Sequence, residues 1–110
     1  HLAGARPKQM ILELAKFILR KNLIRYEAAV GNWARSDREA ATVFGRVMRK
    51  RLGYVAGLFR DLGFPPGEAA ARAHLLVLYL LGEDAVRART SLQTRLRFLR
   101  RDVRVLTEPE

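Results

Sequence analysis

The sequence lacks cysteine, is poor in aromatic residues and has no long apolar run. It contains 110 residues, of which 8% are aromatic and none is cysteine. Without cysteine there is no disulfide framework and no thiolate metal site, a composition that favours a cytoplasmic protein. The longest apolar run, 75–81, is far shorter than the ~20 residues of a membrane-spanning helix. We therefore expect a cytoplasmic protein with no membrane partner.

The sequence also lacks the patterns by which enzymes and metal sites are recognised. It has no glycine-rich phosphate loop, no nucleophile–base signature and no cluster of His, Asp and Glu at metal-ligand spacing. His74 has no second histidine near it, since the other is His1, and Glu68 lies on a different helix face. We predict that the protein is not an enzyme, holds no metal or other cofactor, and uses His74 as a hydrogen-bonded core or interface residue.

Positive charge is what the sequence has in excess. Its 21 Lys and Arg residues against 11 Asp and Glu residues give a formal net charge of +10. A balance this positive attracts polyanions such as nucleic acid, but it also arises where arginine is the default solvated residue. Composition alone leaves both interpretations open.

Local patterns predict an all-α fold in which five helices form one antiparallel bundle. There are no Asn-Gly or Asp-Gly hairpin signals, and Ala, Leu and Arg are abundant. We expect a loose lead-in at 1–6, a helical domain at 7–106 and a frayed tail at 107–110.

Capping residues and helix breakers place the ends of the predicted helices. Pro7 begins the first helix, which ends near Lys21, and Asn22 caps the second. A Ser-x-x-Glu capping box begins the third helix at Ser36, and Gly63, followed by two prolines, ends it.

The third helix carries one apolar stripe and two glycines that share a face. Gly53 and Gly57, four residues apart, favour a close crossing by another helix over a space left by the missing side chains. The apolar stripe follows the helical period. It comprises Ala41, Phe44, Met48, Leu52, Val55, Phe59 and Leu62.

The last two predicted helices are too apolar to be covered by one short chain. The helix at 66–82 has Ala and Leu on almost every side, and such a helix must be covered all round. The last helix begins at Thr90 or Ser91, with a capping box from Thr90 to Gln93, and carries a heptad seam. We therefore predict a homodimer in which this helix pair docks on its copy. The predicted interface residues are Ala69, Ala73, Leu76, Val77, Leu80, Leu92, Leu96, Leu99 and Val103.

Three sequence segments and the order in which they occur are the basis for a resemblance to a known family. They are the Trp-Ala-Arg-Ser-Asp run at 33–37, the Arg-Leu-Gly-Tyr run at 51–54 and the Leu-Gly-Phe-Pro-Pro-Gly-Glu-Ala run at 62–69. An Ala/Leu-rich helix and a final helix follow them. In this order, residues 10–106 resemble the C-terminal regulatory domain of TetR-type transcriptional repressors.

The resemblance implies both an assembly and a mechanism. Members of that family are homodimers whose last two long helices, here 66–82 and 90–106, form an intermolecular four-helix bundle. They hold a small-molecule effector among the preceding helices, and its binding changes the spacing of two N-terminal helix-turn-helix domains on operator DNA. No helix-turn-helix is readable here and the chain starts at His1, so we expect a chain from which the DNA-binding half was removed or was never present.

The resemblance implies an effector, and the walls of the predicted pocket suit a small apolar or aromatic molecule. Arg51 offers a fork of donors to an anionic group. For Tyr26 and Trp33, packing in the core is the competing interpretation. The predicted pocket residues are Arg51 together with those chosen by stripe position, which are Phe17, Tyr26, Trp33, Phe44, Met48, Val55, Phe59 and Leu78.

Two functions follow from these patterns. The first is an effector-binding and homodimerisation domain of a TetR-type regulator, which reaches operator DNA through a domain absent from this chain. The alternative is a basic all-α module that binds nucleic acid directly through the arginines between Arg87 and Arg104. The alternative is weakened because Phe98 is the only aromatic residue among those arginines.

Overall fold

Five α-helices make up the described part of the chain. The computed structural model describes residues 2–109, apart from the side chains of residues 2–5 and 28. No strand occurs among those residues, so the all-α prediction is confirmed. None of the described helices has an apolar stretch long enough to cross a lipid bilayer. The helices are α1 (Leu2–Arg20), α2 (Ile24–Ala34), α3 (Arg38–Asp61), α4 (Pro66–Arg87) and α5 (Leu92–Thr107).

The first helix begins earlier than its proline indicates. It starts at Leu2, so residues 2–6 are helical rather than a loose lead-in, and residue 1 lies outside the described residues. Pro7 is buried inside the helix, where a proline near the N-terminus removes only one helical hydrogen bond. The helix ends at Arg20, within one residue of the predicted end at Lys21.

A left-handed residue ends α1. Asn22 has a φ of 50°, and its N–H donates to the Leu19 carbonyl at 3.2 Å. The Leu23 N–H donates to the Ile18 carbonyl at 3.2 Å, which completes a Schellman motif. Asn22 therefore ends α1, and its predicted role as the N-cap of α2 is wrong. Asparagine suits both roles, and only the path of the chain distinguishes them.

The same motif ends α3, as its glycine predicts. Gly63 has a φ of 107°, and its N–H donates to the Arg60 carbonyl at 2.8 Å. The Phe64 N–H donates to the Phe59 carbonyl at 3.3 Å, and the two phenyl rings lie 6.1 Å apart between centroids. This apolar contact is the usual companion of a Schellman turn. Pro66 then begins α4.

The N-cap of α3 lies one residue later than predicted. The Ala40 N–H donates to Asp37 Oδ1 at 2.9 Å, while the Ser36 hydroxyl donates to the Trp33 carbonyl at 3.3 Å. The predicted capping box from Ser36 to Glu39 is therefore wrong. Both residue types cap helices well, and Asp37 takes the role because its backbone is extended.

Both ends of the last helix also differ in detail from the prediction. Ser91, the second of the two predicted starts, caps α5 by accepting from the Thr94 N–H at 3.2 Å, so the capping box at Thr90 is not formed. Thr107 is buried, and its hydroxyl donates to the Val103 carbonyl at 2.9 Å. The expected fraying of 107–110 therefore does not begin at residue 107, and residue 110 lies outside the described residues.

Arginine side chains join α4 to α5. Arg95 Nε donates to Glu83 Oε2 at 2.9 Å, and Glu83 is only 4% exposed. Arg87 donates to the Tyr79 hydroxyl at 2.9 Å and to the Asp102 carboxylate at 3.1 Å. Burial, assisted by the Asp102 carboxylate, raises the pKa of Tyr79. The two helices therefore meet through a polar network rather than through the apolar seam alone.

A further arginine holds the end of the chain. Arg72 donates to the carbonyls of Leu106 and Glu108, each at 2.8 Å, and to the Glu68 carboxylate at 3.0 Å. Its guanidinium lies 4.0 Å from the centroid of the Phe64 ring. The start of α4 and the end of α5 are thereby tied together.

One hydrophobic core lies between the helices, and it contains most of the predicted interface residues. Leu76 and Leu99 are fully buried within the single chain, because α1 packs against both α4 and α5. Six of the nine predicted interface residues are sealed in this way, so their assignment to a surface between subunits is wrong. They are Ala69, Ala73, Leu76, Leu80, Leu99 and Val103.

Three predicted interface residues are not sealed. Val77 and Leu96 are half-buried and Leu92 is exposed. α4 also continues through Gly82 to Arg87, five residues beyond the predicted end. The added turns include Val86, which is 82% exposed.

Candidate ligand cavity and outer helix face

A cavity of about 430 Å³ opens between α1, α2, α3 and α4. Its size lies within the range of about 300–1,000 Å³ that is typical of small-molecule sites. Thirteen of its sixteen lining residues are apolar or aromatic, so the interior is hydrophobic. The lining residues are Leu14, Ala15, Phe17, Ile18, Leu23, Ile24, Glu27, Met48, Lys50, Arg51, Tyr54, Val55, Leu76, Val77, Leu80 and Leu81.

Helical spacing explains how four helices supply this lining. α1 contributes residues three and four apart, such as Leu14 and Ile18, and α3 contributes Met48 and Val55 two turns apart. On α4 the pairs at 76–77 and 80–81 recur after one turn. Each helix therefore turns one stripe toward the same space.

The charged groups of the cavity lie on two of its helices. Glu27 on α2 forms an ion pair with Arg51 on α3, with side chains that are 19% and 49% exposed. Lys50 also lines the cavity and is exposed. It takes part in no ion pair within the part of the chain that the structure describes. The rim therefore carries one uncompensated positive charge.

Four of the nine predicted pocket residues lie in this cavity. Phe17, Met48, Arg51 and Val55 all contribute to its lining. The stripe positions on α1 and α3 therefore located part of the cavity. Glu27 was not among the predicted pocket residues, because a pair that joins two helices across 24 positions leaves no local pattern.

The other five predicted pocket residues lie elsewhere. Trp33 is 60% exposed, and Tyr26 is exposed with the Arg25 guanidinium 4.7 Å from its ring centroid. Neither aromatic residue is in the core, so the competing core interpretation is also wrong for them. The remaining three are Phe44, which packs beneath Gly31, Phe59, which is fully buried in the core, and Leu78, which is exposed on α4.

The predicted close crossing at the glycines of α3 is absent. A Cβ placed on Gly53 would meet nothing within 4 Å, and one on Gly57 would meet only the end of the Arg60 side chain at 3.5 Å. Neither glycine lines the cavity. Their missing side chains therefore face open space on the surface of the helix.

His74 is not in the core. It is exposed, and its Nδ1 donates to the Ala70 carbonyl at 2.7 Å. Because a carbonyl oxygen only accepts, Nδ1 carries the proton. Among the described residues no group of three His, Asp or Glu side chains is placed to hold a metal ion.

The outer face of α4 and α5 is a second apolar feature. On α4, Leu78 is 63% exposed and Val86 is 82% exposed, and Leu75 shares their helix face. On α5, Phe98 and Val105 are exposed seven residues apart. We call these five residues the outer face. The face lies on the same helix pair that the sequence assigned to dimerisation, but on the side away from the core.

The fold and its cavity define an all-helical protein with an apolar internal site. No known protein family, curated protein or solved structure matches this chain.

Proposed function

We propose that this chain is the effector-binding and homodimerisation domain of a TetR-type transcriptional regulator. The observation that carries the proposal is the position of α4. One side of this helix lines the apolar cavity with Leu76 and Val77, and the other side carries Leu75, Leu78 and Val86 outward. A ligand site and a contact surface therefore share one helix. The resemblance of residues 10–106 to the regulatory domain of that family supports the same assignment.

The outer face replaces the originally predicted seam as the proposed dimer interface. Residues that are sealed in the core have no area left to bury against a second subunit. Leu75, Leu78, Val86, Phe98 and Val105 still have that area, and apolar surface gains about 25 cal/mol for each Å² removed from water. Gly82 lies on this face among them and lets a second helix approach closely.

The shared helix supplies a route for regulation. A molecule that enters the cavity contacts α4 beside the core, and a small shift of α4 changes how two copies meet at the outer face. Ligand binding would then favour one of two dimer geometries, to the extent that it binds one more tightly. The change in dimer geometry would reach operator DNA through a DNA-binding domain.

Sedimentation analysis of the chain and of two variants tests this proposal. The native chain should be a dimer at micromolar concentration. Leu78→Glu should make it monomeric, because the interface would bury an unpaired charge. Val43→Glu, at an exposed apolar position of α3, is the matched control and should stay dimeric. A native chain that sediments as a monomer, with all three proteins folded by circular dichroism, would overturn the proposed dimer.

The charge of α5 supports a second candidate function. Arg97, Arg100, Arg101 and Arg104 are exposed, and none of them forms an ion pair within the described residues. Such a row suits contacts with nucleic-acid phosphates. Direct binding would weaken steeply with salt and show little sequence preference. A gel-shift titration of the native chain with a random duplex, at low and moderate salt, distinguishes this function from effector binding.

A further inference from the structure

The cavity has a positively charged rim as well as an apolar interior. Glu27 and Arg51 neutralise each other across the gap between α2 and α3, which leaves the Lys50 ammonium as the uncompensated charge. The whole chain carries a formal net charge of +10, so the long-range field has the same sign. An entering anion therefore meets attraction both at a distance and at the rim.

A cationic ligand would bind weakly at the same rim. Glu27 is the only acidic residue among the described residues that line the cavity, and it already pairs with Arg51. A cation would have to break that pair and then lie beside two positive side chains. An anion, in contrast, contacts Lys50 and the exposed side of Arg51 while the Glu27–Arg51 pair stays intact.

The interior of the cavity determines the chemical character of the part of the ligand that lies beyond the rim. Leu14 and Ile18 of α1 and Val77 and Leu81 of α4 line the cavity with hydrocarbon side chains. Among the described residues that line the cavity, Glu27, Lys50 and Arg51 carry a charge and Tyr54 adds one hydroxyl. Groups that bind away from these four side chains should be hydrocarbon, because a polar group there would lose its hydration without a partner.

We infer that the ligand of this site is an amphipathic anion, of which an alkyl carboxylate is the simplest example. Its carboxylate lies at the rim against Lys50 and Arg51, and its chain lies between α1 and α4. This inference rests on the proposed function, because it takes the cavity as the effector site. It adds the chemical class of the effector, with the polar end and the apolar end placed.

Isothermal titration of the native chain with a matched ligand series tests the inference. Decanoate, decanol and decyltrimethylammonium share one chain length and differ in charge. Decanoate should bind most tightly and the cation least. Lengthening the carboxylate from octanoate to decanoate should raise the affinity by about fourfold for each methylene, as expected for full burial of the added groups.

Two variants locate the polar end of the ligand. Lys50→Gln should weaken decanoate binding by about tenfold, since a charge-assisted contact is lost, and should leave decanol binding unchanged. Arg49→Gln is the matched control, because Arg49 is an exposed neighbour on the same helix that does not line the cavity. It should bind both ligands like the native chain. Equal losses in the two variants would show a general charge effect and would overturn the assigned site.

The outcomes separate this inference from the proposed function. Tight binding of decanol or of the cation, with decanoate weaker, overturns the anionic ligand and keeps the cavity as an effector site. Absence of binding by all three ligands overturns the inference. If the native chain is then also a monomer, the proposed function falls with it.

Discussion

The half of the molecule around α5 and the half around α2 are held in different ways. α5 buries Leu99 and Val103 completely and is joined to α4 by the Glu83–Arg95 pair. No described side chain of α2 is buried, and its aromatic residues Tyr26 and Trp33 point to solvent. We call the first the closed half, and it includes Phe59 and Tyr79, which pack in the same core as Leu99 and Val103. We call the second the cavity half. Because regions with few buried apolar contacts open most easily, the cavity half is the part expected to adjust to a ligand.

The largest expected difference between the halves comes from two phenylalanines. Phe59→Ala removes a fully buried ring and should lower the free energy of unfolding by about 3–5 kcal/mol. Phe17→Ala removes an exposed ring at the cavity rim and should cost much less than that. Urea unfolding of both variants measures the two losses. Equal losses would mean that the rim of the cavity is packed as tightly as the core.

Two arginine-to-alanine substitutions compare the ion pairs of the two halves. Arg95→Ala leaves the buried Glu83 carboxylate without its partner and should cost about 3 kcal/mol. Arg51→Ala breaks the Glu27 pair at the open rim and should cost at most about 1 kcal/mol, because solvent screens that pair. The same urea titrations give both values. A smaller loss of stability for Arg95→Ala than for Arg51→Ala would mean that the ion pair of the closed half contributes less than the pair at the cavity rim.

Helix caps should show no difference between the halves, because a cap acts locally. Asp37→Ala at the start of α3 and Ser91→Ala at the start of α5 should each cost about 1 kcal/mol. Ser36→Ala is the control and should cost little, since its hydroxyl bonds only to the preceding turn. Thermal unfolding followed by circular dichroism ranks the three variants. A larger loss for Ser36→Ala would restore the originally predicted capping box.

The smallest effect on stability at neutral pH is expected from substitution of Tyr79. Burial raises its pKa in the folded chain, so the folded state keeps the phenol protonated where the unfolded chain ionises. The resulting stability is complete below a pH of about 10 and is lost as the pH rises from there toward the folded pKa. Tyr79→Phe should therefore lose less stability between pH 9 and pH 11 than the native chain.

Tyr54→Phe, at an exposed tyrosine of the cavity half, is the matched control for that measurement. It should follow the native pH dependence in the same urea titrations. If Tyr79→Phe and Tyr54→Phe behave alike, the Tyr79 hydroxyl is not sequestered in the closed half.

Several features of the fold were predictable because they depend on neighbouring residues. Gly63 and the two prolines after it place the break between α3 and α4, since only glycine readily takes a φ of 107° there. The spacing of Met48, Arg51 and Val55 places them on one face of α3, and they do line the cavity. Such signals need no knowledge of the other helices.

The same reasoning failed where two local rules competed. Asn22 suits the end of one helix as well as the start of the next, and Ser36 and Asp37 are both good caps. Each choice was decided by the path of the backbone, which is extended at Asp37 and left-handed at Asn22. The candidate site was affected more strongly, since Glu27 and Lys50 were not among its predicted residues although both line the cavity.

Local sequence patterns were enough to predict that the chain is helical, where its main break falls and that α4 is apolar on nearly every side. These properties follow from hydrogen bonds, backbone angles and periodicity within a few residues of one another. The packing of distant helices determines that α1 covers Leu76 and Leu99 while Leu78 and Val86 remain exposed. A helix that is apolar all round gives no indication of which side its own chain will cover, because that depends on packing between segments distant in sequence.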